Sequence, residues 1–229
     1  MRTRSRERRQ RNVKIVAVSG SLVSGGNVEA LLDHALEEYD DKPEVEVTRF
    51  NLSRMNVGPC RHCNWCMKKQ EPGRYCGTDD DMSVIYPALM EADGMIIASP
   101  VHFLRLSGTT ANFIDRLRLF VHGNLTRGVM RNKVGGALAV SWFRNAGIEL
   151  TLVTINNAFQ VLTMVIATPD LGILGGGAFS SLEGAGEVIK GRRLHVDEDQ
   201  FGMASARSVA YRVWELARLM EAGRNALGD

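Results

Sequence analysis

Hydrophobic runs of strand length alternate with helix-period patterns along the chain. Val13–Ser19 (VKIVAVS) is short, β-branched and stopped by Gly20, which predicts a buried strand. A glycine-rich turn follows, then a helix from about Asn27 with Leu31, Leu32 and Leu36 on one face. Glu44–Phe50 (EVEVTRF) alternates as a strand covered on one side. After a cysteine-bearing loop over 58–78, Asp79-Asp80-Asp81 offers caps and negative charge for a helix over Met82–Glu91. Gly94–Ser99 predicts a third strand and Leu106–Val121 a third helix. Val134–Val140 and Met164–Thr168 read as strands, with a helix over Glu149–Leu162 between them. Residues 169–202 are glycine-rich and irregular, longer than an ordinary connector. The last helix, about Ala204–Glu221, carries Val209, Val213, Leu216, Leu219 and Met220 as its apolar stripe.

Five strands alternating with helices imply an α/β doubly wound parallel sheet over residues 13–229, one domain. Ligands of such sheets bind beyond the carboxyl ends of the strands. The loops after strands one, three and four are therefore the candidate site.

Composition narrows the function. At 229 residues, 45% apolar and 24% charged, the chain can build its core without disulfides. It has no apolar run of membrane-spanning length. The formal charge of +2 divides unevenly: residues 1–14 carry +6 and the remainder −4. Residues 1–12 thus read as a disordered basic arm on a mildly acidic body, which excludes a uniformly basic nucleic-acid binder. The apolar stretch Ile15–Val18 is too short for a secretory signal, so a cytoplasmic protein is expected.

The first loop, Ser19–Val28, lacks both the Gly-Lys-Ser/Thr ending and the G-x-G-x-x-G pattern of nucleotide loops, and contains no Lys or Arg. Its hydroxyls, Asn27 and a helix N-terminus suit one terminal phosphate, or simply a tight turn. The second loop runs Ser99–Gly108, where His102 and Phe103 stand ready to flank a flat ring. The third, Ser141–Gly147, holds Trp142, Phe143 and Arg144. Its aromatics either border a ligand or pack under the sheet edge. All four cysteines form Cys60-x2-Cys63-x2-Cys66-x9-Cys76. Four thiolates suit a tetrahedral zinc site, although zinc knuckles are usually farther apart. Three at x2 spacing plus a fourth also suit a [4Fe–4S] cluster.

GSLVSGGN, DDM, ADGMIIASPVHFLRLSG with NFIDR, and FRNAGIELTLVTINNAF occur in that order. Over roughly residues 13–222 the chain resembles the FMN reductase branch of the flavodoxin-like proteins. The resemblance implies a flavodoxin-like sheet of order 2-1-3-4-5 and bound FMN. Ser19, Ser21, Ser24, Gly26 and Asn27 then match the phosphate loop. Pro100, Val101, His102 and Phe103 match the loop beside the isoalloxazine, and Ser141, Arg144 and Asn145 the third flavin loop. Val28 and Leu22-Val23 depart from the usual hydroxyl residue and Pro-Arg. Within this branch, the iron–sulfur flavoproteins carry a compact cysteine motif at this position, which implies Cys60, Cys63, Cys66 and Cys76 as ligands of a [4Fe–4S] cluster.

The resemblance thus points to an FMN- and [4Fe–4S]-dependent oxidoreductase. Its substrate is expected to be a small anionic or quinonoid molecule, met by His102, Arg105, Trp142 and Arg144 on the open flavin face. Ferredoxin or NAD(P)H is the expected electron partner and a homo-oligomer, dimer or tetramer, the expected assembly. A non-enzymatic electron carrier and a zinc-stapled binding module are the competing readings.

Overall fold

The computed structural model describes residues 11–228. Seven strands form one sheet: β1 (Val13–Ser19), β2 (Val45–Asn51), β3 (Gly94–His102), β4 (Arg105–Leu106), β5 (Val134–Ser141), β6 (Val165–Ile166) and β7 (Gly176–Phe179). The helices are α1 (Asn27–Leu36), α2 (Met82–Glu91), α3 (Gly108–Arg116), α4 (Leu119–His122), α5 (Ile148–Val161) and α6 (Gln200–Leu227). The order β2-β1-β3-β5-β6 is parallel throughout. It equals the expected 2-1-3-4-5 once β4, an antiparallel hairpin partner of β3, is left out of the count.

Alternation along β1 divides the core. Ile15 and Ala17 face α1 and α6, whereas Val16 and Val18 face α2, α3 and α5. β3 as far as Ser99, and all of β5, lie buried inside the sheet, so they read as unbroken apolar runs.

Five expectations change. The fifth strand is shorter than Met164–Thr168: β6 pairs with only Val134 and Gly135, and Pro169, which has no N–H, follows soon after. The same edge is then continued by β7, drawn from the segment expected to be irregular, against Leu138–Ser141. The helix expected over Leu106–Val121 is two helices, because Leu117 N–H bonds to Ile114 O and tightens the chain there. Helix α6 is longer than expected. Its Leu219 is exposed, and Ala206, Ala210 and Ala217 join Val209 and Val213 in the core instead. Finally, Arg11 and Asn12 bond to Asp93 at 2.5 Å and Glu46 at 2.7 Å, so the arm's last two residues belong to the folded body. The rest of the arm lies outside the described residues.

Loop one meets α3 at one close approach. A Cβ on Gly20 would lie 1.9 Å from Thr110 Oγ1, and Gly20 O accepts Ser107 Oγ at 2.8 Å. Gly20→Ala should therefore cost about 1–3 kcal/mol of stability in urea denaturation, partly recovered by Thr110→Ala. Unchanged stability would show that α3 is not seated on this loop.

Candidate flavin and cysteine sites

The carboxyl ends of β1, β3 and β5 bring the three predicted loops together. Gly20 N–H bonds to Ala98 O at 2.8 Å, which joins loop one to β3. Loop three meets the β3–β4 hairpin at Gly147, whose φ is +104° and whose Cβ position would lie 2.5 Å from Leu104 Cα. Only glycine fits there.

In loop one, Ser19 Oγ is buried with no hydrogen-bond partner. Ser21 Oγ accepts Val23 N–H at 3.0 Å. Ser24 Oγ accepts from Arg54, and Ser24 O from Arg193. Gly26 caps α1 without a side-chain bond. Asn27 Oδ1 accepts the N–H groups of His195 and Val196 at 2.8 and 3.0 Å.

In loop two, Pro100 and Val101 end β3 half-buried, and His102 pairs with Arg105 across the hairpin. The tip residues Phe103 and Leu104 both have positive φ, 49° and 64°. A two-residue hairpin needs that twist, but large side chains adopt it under strain. Phe103 is fully exposed there. Arg105 Nη1 bonds to Leu106 O at 3.2 Å.

In loop three, Ser141 is buried and its hydroxyl donates to Phe143 O. Trp142 and Phe143 are exposed and stack edge to face, 6.5 Å apart, rather than packing under the sheet. Arg144 lies 5.1 Å over the Phe179 ring and donates to Glu183 O at 2.5 Å, which ties loop three to β7. Asn145 is exposed at φ 54°.

The cysteine loop packs against the end of α3. His62 and Asn64, at φ 52° and 57°, turn the chain between the first three cysteines. The Arg116 guanidinium is almost wholly buried; Asp80 takes Nη1 at 2.5 Å and Nη2 at 2.9 Å. Arg116 also donates to Gly58 O at 3.2 Å, and its Nη2 lies 3.5 Å from Cys76 Sγ. Burial opposes its charge, but Asp80 and the nearby Tyr86 and Cys76 raise its pKa above the ordinary arginine value. Arg118 Nη1 lies 3.9 Å from Cys66 Sγ and Nη2 bonds to Asn64 Oδ1 at 2.8 Å. Burial pushes the Cys66 thiol up, Arg118 pulls it down, and the thiols of Cys76, Cys60 and Cys63 push it up again. Among the described residues, no three His, Cys, Asp or Glu side chains are close enough to hold a single metal ion. Asp80 also fills the expected capping role, accepting Met82 N–H at 3.2 Å, while Asp81 takes Asn56 N–H.

Residues 13–175 match the NADPH-dependent FMN reductase family. An iron–sulfur flavoprotein of Methanocaldococcus jannaschii is 34% identical over 207 residues, 90% of this chain and 98% of that one. The iron–sulfur flavoprotein of Methanosarcina thermophila is 29% identical, covering 93% and 100%. The chain belongs to the iron–sulfur flavoproteins of the FMN reductase family. Among solved structures, RosB with a bound flavin intermediate superposes at a TM-score of 0.70 with 16% identity, covering 92% of this chain and 81% of that one. A WrbA-like flavodoxin from Agrobacterium tumefaciens superposes at 0.58 with 15% identity, covering 91% and 99%. Both show the flavodoxin-like fold.

This flavoprotein is an FMN-dependent oxidoreductase. Its first loop fits FMN: the unpartnered Ser19 hydroxyl and the uncapped start of α1 are donors that a phosphate would satisfy. No helix among the described residues is long and apolar enough to cross a membrane. The arginines were not legible as site residues. Arg116 sits in the NFIDR motif and Arg118 two residues on, both within a pattern that reads simply as helix. Arg54 and Arg193 reach Ser24 from 30 and 169 residues away, with no local signal.

Arg116→Met leaves Asp80 charged and buried, and should cost about 3–5 kcal/mol in urea denaturation, with Asp80→Asn in the same chain recovering part. A single variant within about 0.5 kcal/mol of the parent would show that the pair does not hold the loop.

Proposed function

We propose that this flavoprotein is an FMN- and [4Fe–4S]-dependent oxidoreductase acting on a small anionic or quinonoid molecule. The observation that carries this reading is the four-cysteine loop seated against the end of α3, with Arg116 beside Cys76 and Arg118 beside Cys66. Cationic N–H donors beside sulfur suit an anionic group held there. Three cysteines at x2 spacing with a fourth after a gap of nine residues suit a cluster, where each thiolate takes a different iron. Cys60, Cys63, Cys66 and Cys76 would hold that cluster.

When bound, FMN exchanges electron pairs as hydride and the cluster exchanges single electrons, so together they suit a two-electron to one-electron converter. The chain's own residues do the positioning. Ser19, Ser21, Ser24, Gly26 and Asn27 form the phosphate end of the FMN site. Pro100, Val101, His102 and Phe103 border the isoalloxazine on one side, and Ser141 and Asn145 on another. His102, Arg105 and Trp142 are exposed on this edge and would meet substrate, with Arg105 as the anion-binding group. Arg144 spends its guanidinium on Phe179 and Glu183, which supports a bracing role for it beside its place in the flavin loop. The exposure of Phe103, Trp142 and Phe143 supports a homo-oligomer that covers them. Ferredoxin or NAD(P)H is the proposed electron partner.

Anaerobic purification should yield about four irons and four sulfides per chain beside FMN. Cys63→Ser should lose the cluster absorbance and keep the flavin. Iron-free protein under those conditions, or full cluster absorbance in the variant, would contradict the assignment.

A further inference from the structure

The phosphate end of FMN carries nearly two negative charges at neutral pH. A helix N-terminus supplies roughly half a positive charge. Loop one adds hydroxyls and N–H groups but no cationic side chain. The balance is worsened by Glu29, whose buried carboxylate accepts Gly25 N–H at 3.0 Å. Arg49 does not offset the deficit, since its guanidinium pairs with Asp33 and lies 4.0 Å from Glu29.

Two other cations reach the loop, and both do so at Ser24. Arg54, in the turn after β2, gives Nε and Nη2 to Ser24 Oγ at 3.2 and 3.0 Å. Arg193 gives Nη2 to Ser24 O at 2.5 Å. Among the described residues, neither arginine pairs with a carboxylate. The segment bearing Arg193 is fastened to the same loop, because Asn27 Oδ1 accepts the N–H groups of His195 and Val196. Buried His195 in turn accepts Ile189 N–H on Nε2 at 2.9 Å.

We propose that Arg54 and Arg193 are the cationic half of the phosphate site, brought from outside the loop, and that they set the preference for FMN over riboflavin. Asn27 is then a positioning residue as well, since its carbonyl holds the strap that carries Arg193. The proposal rests on the assignment of FMN to this loop.

The test is a fluorescence titration of the flavin-depleted full chain with FMN and with riboflavin, at low and high salt. Arg54→Gln and Arg193→Gln should each weaken FMN roughly three- to tenfold and leave riboflavin unchanged. Arg193→Lys should keep part of the preference. The salt dependence of FMN binding should shrink in both Gln variants. An unchanged ratio of FMN to riboflavin affinity in both Gln variants would overturn the proposal, as would an equal loss of both flavins. A parent protein that binds FMN no tighter than riboflavin would overturn the loop assignment itself.

Discussion

Arg116 ends α3 with its guanidinium out of water, and Asp80 supplies two acceptors for it. An isolated charge in that position would cost several kcal/mol, so each partner obliges the other to stay. Asp80 precedes α2, inside the long excursion between β2 and β3, and Arg116 closes α3 after β3, so the pair fastens that excursion to α3. Gly58 at one end of the cysteine loop bonds to both members, and Cys76 at the other end lies against the guanidinium. The loop is held by this buried ion pair and by Cys66, Tyr75 and Cys76, which pack against the core.

Helix α3 carries that constraint across the molecule. Its start is locked to loop one through Ser107, Thr110 and Gly20, and its end to the cysteine loop through Arg116. Nine residues of helix span about 13 Å. Loop one and the cysteine loop thus sit on the two ends of one short rigid bar. Arg118, just beyond the bar, adds a second contact to the loop through Asn64 and Cys66. Gln70 and Thr126 close the loop's far side with a buried 3.0 Å bond, and Gln70 also bonds to Tyr75 O beside Cys76.

Local pattern made the sheet legible. The runs VKIVAVS and GMIIAS are β-branched or apolar and correspond to β1 and the first part of β3, and the sheet order followed from alternation. The edge strand was less legible because its two pieces, β6 and β7, have few pairs and are separated by Pro169 and a glycine-rich turn. The three candidate loops stood out because they end strands, and the cysteines because of their spacing. The charges around them were hidden. Arg54, Arg193 and Arg116 act on residues far away in sequence, and side-chain charge without local periodicity carries no address. Arg144 shows the reverse: its position in a strand-end loop suggested substrate, while its side chain reaches Phe179 and Glu183.

The cysteine loop, braced against the end of α3 by Arg116 and Arg118, is proposed to present its four thiols as one cluster site tied through α3 to loop one. Iron-edge anomalous diffraction from anaerobically grown crystals tests it most directly. A compact iron density within reach of Cys60, Cys63, Cys66 and Cys76 is expected, with Arg116 still against Cys76. A single metal ion, or iron held without Cys76, would contradict it.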